Sequence, residues 1–184
     1  LEFRRVLFRS KNITYGIVIT NVEEEQKFYS NIVPNAIINN EYNPSIVENL
    51  INTQKECCNK HKKFIVIDDY FFNDSWYREP YIRFLYTQGH NYNIMTIVTM
   101  SHPLGIPPNL RLQIDYVFIF KNDYFSNIKC IYEKYCGHFI IFEDFCCIMD
   151  KITNDYDCIV VHNNTNAKNI EDIFFLYKAN NKST

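Results

Sequence analysis

Two adjacent carboxylates, Asp68 and Asp69, follow directly on the uninterrupted apolar run Phe64-Ile65-Val66-Ile67. Such a run is the pattern of a central parallel strand covered on both faces, and open α/β folds bind ligands at the carboxyl ends of those strands. Paired acids there suit a hydrated magnesium ion, which keeps several waters and takes one or two carboxylates together with substrate phosphates. One aspartate can then hold the metal while its neighbour orients an attacking water. The plainer alternative is a core strand that simply runs into a solvated loop.

Two further groups could serve the same chemistry. The apolar segment Ile94 to Met100 ends at Ser101-His102, which could set a polar side chain beside a terminal phosphate; the bland role for Ser101 is to cap a turn. Arg111 lies in the Pro-rich stretch Pro107-Pro108-Asn109-Leu110-Arg111. A guanidinium there can grip transferring phosphoryl charge bidentately, or can pair with Asp115 on the surface.

These groups need a frame. Thr14 to Thr20 is β-branched and predicts a buried strand, with Asn21 capping a helix that starts at the acidic turn Glu23-Glu24-Glu25 and closes before Pro34. Pro44-Ser45 opens a second helix with Ile46, Val47, Leu50 and Ile51 on one face, ending in the polar stretch Asn59 to Lys63. After the acid-tipped strand, a helix is expected over Trp76 to Thr87, closed by Gly89, and then a strand over Ile94 to Met100. Pro103, Pro107 and Pro108 predict a non-helical crossing to a strand over Tyr116 to Phe120. Helices near Tyr124 to Tyr135 and Phe142 to Ile152, a strand over Cys158 to His162 and a strand-like Phe174 to Tyr177 complete the pattern. Strands alternating with helices predict an α/β fold with a mostly parallel sheet, in one domain over residues 11–184. Residues 1–10 hold three of the six arginines and differ in flavour from the Asn-, Ile- and Tyr-rich remainder, as expected of a non-native or frayed leader.

Composition narrows the function classes. With 184 residues, 47% of them hydrophobic, the chain can bury one sizeable core. A formal charge of -2 gives no broad positive field for nucleic acid, so contact with DNA would need a local patch or an assembled ring. No apolar run approaches the ~20 residues of a membrane helix, which predicts a soluble protein without a membrane span. The seven cysteines include the pairs Cys57-Cys58 and Cys146-Cys147, without the spacing of a disulfide framework or a C-x-x-C zinc site, so free thiols are expected even though His61 lies near the first pair. His102 and His138 have no nucleophile at a recognisable spacing. The Lys60 to Lys63 cluster predicts a solvated turn at the sheet end opposite the acids.

Five stretches in order, Tyr29 to Gln54, Phe64 to Asp69, Gly89 to Ile97, Gly105 to Ile119 and Tyr132 to Phe145, resemble the packaging ATPase of nucleocytoplasmic large DNA viruses, the poxvirus-type branch of the FtsK/HerA motors. The similarity runs from about Tyr15 to Ala179. It implies a RecA-like P-loop domain, ATP and Mg2+ as cofactors, a homo-oligomer, expected to be a hexamer, and translocation of double-stranded DNA into a capsid in an infected cell. In the same resemblance Phe64 to Asp69 is the Walker B strand, with Asp68 on the metal side and Asp69 activating water. Arg111 falls in the family's arginine-bearing segment, acting on its own subunit's nucleotide or a neighbour's.

The sequence departs from that family in three places. No G-x-x-x-x-G-K-[ST] phosphate loop occurs in it, and only four glycines occur at all, so the loop and its strand are expected upstream of Thr14 and these residues alone are expected to hydrolyse ATP poorly or not at all. Ser101 stands where the family usually has glutamine, and Gly89-His90-Asn91 replaces the usual Gly-Arg-His. A non-catalytic or decayed remnant is therefore a competing expectation, as is another P-loop NTPase such as a helicase or plasmid-transfer motor.

Overall fold

The computed structural model describes residues 13–33, 36–56, 61–70, 75–102, 105–137, 140–152, 157–163, 167 and 169–178. The leader, Cys57-Cys58 and His138 lie outside them. Two compact units divide the chain, one ending at Leu110 and the other beginning at Arg111.

In the first unit the elements run β1 (Ile13–Ile19), α1 (Glu23–Ile32), β2 (Ala36–Asn39), α2 (Pro44–Glu56), β3 (Lys62–Asp68), α3 (Pro80–Gln88) and β4 (Ile94–Thr99). The four strands form one parallel sheet in the order β2-β1-β3-β4. Register sets Gly16 beside Phe64 and Val18 beside Val66, and on that face Tyr29 of α1 and Val33 just after it join a shared core. Side chains alternate along a strand, so Tyr15, Ile17, Lys63 and Ile65 look the other way, toward α2.

Local chemistry explains three differences from expectation. Asn21 does not cap α1: the cap position is Val22, with no side-chain cap bond, and the Thr20 hydroxyl instead accepts the Val22 N–H at 3.3 Å while donating to Glu25 at 2.9 Å. The helix expected over Trp76 to Thr87 is broken in two, a single 3-10 turn at Trp76–Arg78 followed by α3. Pro80 cannot donate to an earlier turn, and the Glu79 carboxylate accepts the Ile82 N–H at 2.7 Å to start the helix afresh. β2 is an addition, four residues between Pro34 and a polar turn, too short to carry a period of its own.

The second unit holds α4 (Pro108–Arg111, begun in the first), β5 (Tyr116–Ile119), α5 (Phe125–Ile131) continuing as a π turn over Tyr132–Cys136, α6 (Phe142–Ile152), β6 (Asp157–His162), α7 (Ile170–Ile173) and β7 (Phe174–Lys178). The proline-rich crossing is thus partly helical, with Pro108 at a helix start where a missing N–H costs nothing. Its three strands pair antiparallel in the order β5-β6-β7, where the alternation of elements predicted parallel neighbours. Apolar runs specify burial, whereas strand direction follows from how the connections return. Ile119, Phe145, Met149, Ile159, Val161 and Ile173 make the core, together with Cys136, whose thiol is pushed up to about 12 by burial.

Candidate functional site

Asp68 ends β3 and is almost fully buried, at 1% exposure. Its Oδ2 accepts the phenol O–H of Tyr29 at 2.8 Å, and its Oδ1 accepts the hydroxyl of Thr99 at the end of β4. Both oxygens of a buried carboxylate are thereby satisfied, which is what allows an acid at that depth. Tyr29 reaches it because α1 crosses the face on which β3 points Phe64, Val66 and Asp68. Neither Tyr29 nor Thr99 is legible as a site residue from sequence: one reads as a helix's apolar stripe, the other as an ordinary strand position.

Asp69 is half-buried and takes up a left-handed backbone, φ 45°, uncommon for a non-glycine residue. That bend falls where the chain leaves β3. Its N–H is held by Thr99, at 3.2 Å to the carbonyl and 3.0 Å to the hydroxyl. The carboxylate accepts the Ser101 N–H at 2.8 Å on one oxygen and the Ser101 hydroxyl on the other. Ser101 therefore serves here as the holder of Asp69, a shorter-range task than reaching for a phosphate. Thr99 is the hinge pin of the pair, since one hydroxyl donates to Asp68 and accepts from the backbone of Asp69.

Removing the Tyr29 hydroxyl isolates one link. Tyr29→Phe leaves Asp68 Oδ2 without that buried donor at nearly unchanged volume, and is expected to cost about 1–3 kcal/mol. A urea midpoint lowered at constant slope would show it; an unchanged midpoint would mean that the phenol contributes nothing to holding the acid.

Arg111 closes α4 and opens the second unit. Its carbonyl accepts Asn163 Nδ2 at 2.9 Å, and its guanidinium lies 5.9 Å from the ring centroid of Tyr135. Burial raises the Tyr135 phenol to about 12 although the nearby Arg111 charge pulls it down. His102 is exposed, and so is His61, whose carbonyl accepts Gln54 Nε2 at 2.7 Å. Among the described residues there is no group of three or more His, Cys, Asp or Glu that could hold a metal ion. Lys62 is solvated as expected, but Lys63 is not: it is only 9% exposed, because strand alternation turns it under α2.

Two carboxylates flanked by Thr99 and Ser101 hydroxyls form a hard, all-oxygen donor set. Such a set fits a magnesium ion that keeps its waters and is shared with phosphates, and is too sparse for a dedicated cage. A parallel sheet with these acids at its carboxyl rim is the frame of the P-loop NTPase-like folds, and superposition on solved structures bears that out. The genome packaging NTPase B204 of Sulfolobus turreted icosahedral virus 2, in complex with AMP, matches with a TM-score of 0.66 and 17% identity over 96% of this chain and 87% of that one. B204, the DNA-packaging ATPase of Sulfolobus turreted icosahedral virus, matches with a TM-score of 0.67 and 14% identity over the same shares. Identities this low establish the fold.

Sequence relatives come from large DNA viruses. The chain is 31% identical over 180 residues to the uncharacterized protein 088R of Invertebrate iridescent virus 3, covering 95% of this chain and 69% of that protein. An uncharacterized protein of Acanthamoeba polyphaga mimivirus is 28% identical over 97% of this chain and 68% of its own length. No family model matches. The chain belongs to the family of 088R of Invertebrate iridescent virus 3. Among the described residues no helix is long and apolar enough to cross a membrane.

Proposed function

We propose that the chain is part of an ATP-driven motor that moves double-stranded viral DNA into capsids, and that it supplies the acid half of the nucleotide site. The carrying observation is the pair at the rim of the parallel sheet: Asp68 buried and doubly hydrogen-bonded, Asp69 half-buried next to it and held by Ser101. In this reading Asp68 stands on the metal side and Asp69 orients water for attack on the terminal phosphate. Bound Mg2+ would neutralise phosphate charge as the phosphoryl group leaves. Ser101 keeps the Asp69 carboxylate fixed, and Arg111 is assigned to the charge that develops on the phosphates, in its own subunit or a neighbouring one of a hexamer. The motor would work in the cytoplasm of an infected cell or in the virion, against capsid components.

A second feature supports an upstream phosphate loop. β4 has the mostly apolar sequence of a strand flanked on both sides, yet it is last in the sheet order and pairs with β3 alone, with five of its six residues half-buried. An edge of that character has room for one more parallel strand, and a loop-bearing strand placed there would deliver phosphates beside Asp68 and Asp69.

The test joins these residues to the upstream reading frame and measures ATP turnover with and without duplex DNA. The 184 residues alone are expected to show no measurable turnover. The extended chain is expected to carry G-x-x-x-x-G-K-[ST] and to hydrolyse ATP faster with DNA. A stop codon upstream, or an extended chain that assembles but hydrolyses nothing, would replace the motor with a non-catalytic remnant.

A further inference from the structure

Beneath α2, on the sheet face away from Asp68, lies a cleft of about 410 Å³. Its walls are mostly apolar, Ile17 and Ile37 from the sheet and Ile46 and Leu50 from the helix, with Asn49 and Thr53 of α2 also lining it. Two polar residues in it stand out among the apolar ones. Lys63 lines the cleft at 9% exposure, and its ammonium stands 5.7 Å from the Tyr15 ring centroid, with no carboxylate in ion-pair range among the described residues. Asn39 Nδ2 is buried with no hydrogen-bond partner among the described residues.

Lysine is almost never so buried without a counter-charge, because desolvating an ammonium is expensive, and an aromatic face attracts the charge without neutralising it. Register spaces the two groups: Lys63 sits level with Tyr15, and Asn39 level with Ile19. Four residues along the strands is about 13 Å. The cleft is therefore long, apolar along most of its length and cationic at its amino end. Its volume falls in the range of small-molecule sites, about 300–1,000 Å³.

We propose that this cleft binds a straight-chain carboxylate, its anionic head on Lys63 and its apolar chain along Ile17, Ile37 and Leu50. A carboxylate accepts from the lysine ammonium and supplies the counter-charge that the described residues do not, and the chain covers the walls. The site is separate from the acids at the carboxyl rim and stands or falls independently of the motor.

Decanoate below its micelle concentration, decanol and acetate are the probes, titrated calorimetrically into the whole chain. Decanoate is expected to bind saturably, decanol at least tenfold more weakly and acetate not at all. Lys63→Met keeps the apolar stem and removes the charge, and is expected to weaken decanoate at least tenfold. Ile37→Trp fills the cleft from a position already 48% exposed, so it should fold even if the lysine variant does not, and it should block decanoate too. Decanol binding as tightly as decanoate, no saturable decanoate binding, or decanoate affinity unchanged in a folded variant would overturn the site.

Discussion

Asp69→Asn in the upstream-extended chain is expected to lower ATP turnover about 10²-fold or more, the scale on which a positioned acid–base group contributes. The replacement keeps size and shape but removes the negative charge that would orient the water. It also puts a donor where Ser101's hydroxyl or amide needs an acceptor, since both carboxylate oxygens are engaged by Ser101. Nucleotide binding should survive that change. Asp68→Ala should act differently, because Asp68 is the buried partner of Tyr29 and Thr99 on the metal side: the magnesium-dependent part of nucleotide affinity should fall along with turnover. Arg111→Ala should lower turnover strongly while leaving the first unit's stability alone, as Arg111 packs on Tyr135 within the second. Steady-state kinetics beside equilibrium binding separate these outcomes, and a wild-type rate for Asp69→Asn removes its proposed role.

Gly16→Ala is expected to destabilise the first unit by about 1–3 kcal/mol, a large penalty for one methyl group. Gly16 pairs with Phe64 across β1 and β3, and a Cβ there would run into the Phe64 ring. The ring cannot swing aside, because Val18, Tyr29, Val33 and Val66 enclose it and it is 1% exposed. Phe64→Ala alone should cost about 3–5 kcal/mol by leaving a cavity. In that background the effect of Gly16→Ala should reverse sign, since glycine within a strand is worse than alanine by about 0.5–1 kcal/mol once the clash is gone. Denaturant unfolding of the four proteins closes the cycle. Additive penalties would mean that the ring and the glycine are not in contact, and that the acid-bearing strand is positioned some other way.

Much of the frame was legible in the chain. β3, α6 and β7 fall within a residue or two of expectation because apolar runs and helical periods record burial directly. The place of Asp68 and Asp69 at the end of β3 was equally plain, since they directly follow its apolar run. Direction of pairing was not: β5 to β7 look like parallel-sheet strands by composition, and only their connections make them antiparallel. By sequence Lys63 reads as part of a solvated cluster, yet being one residue along the strand from Lys62 turns it under a helix.

By itself, then, the sequence determined which segments are buried and where the two acids emerge, because those depend on neighbours along the chain. Tertiary structure decided how the acids are held. Tyr29 comes from 39 residues before Asp68, Thr99 from 31 residues after it, and Ser101 from 32 residues after Asp69. Hydrogen bonds across such separations arise only when strand order and register bring helix α1 and the end of β4 to one edge, and no local pattern encodes that meeting.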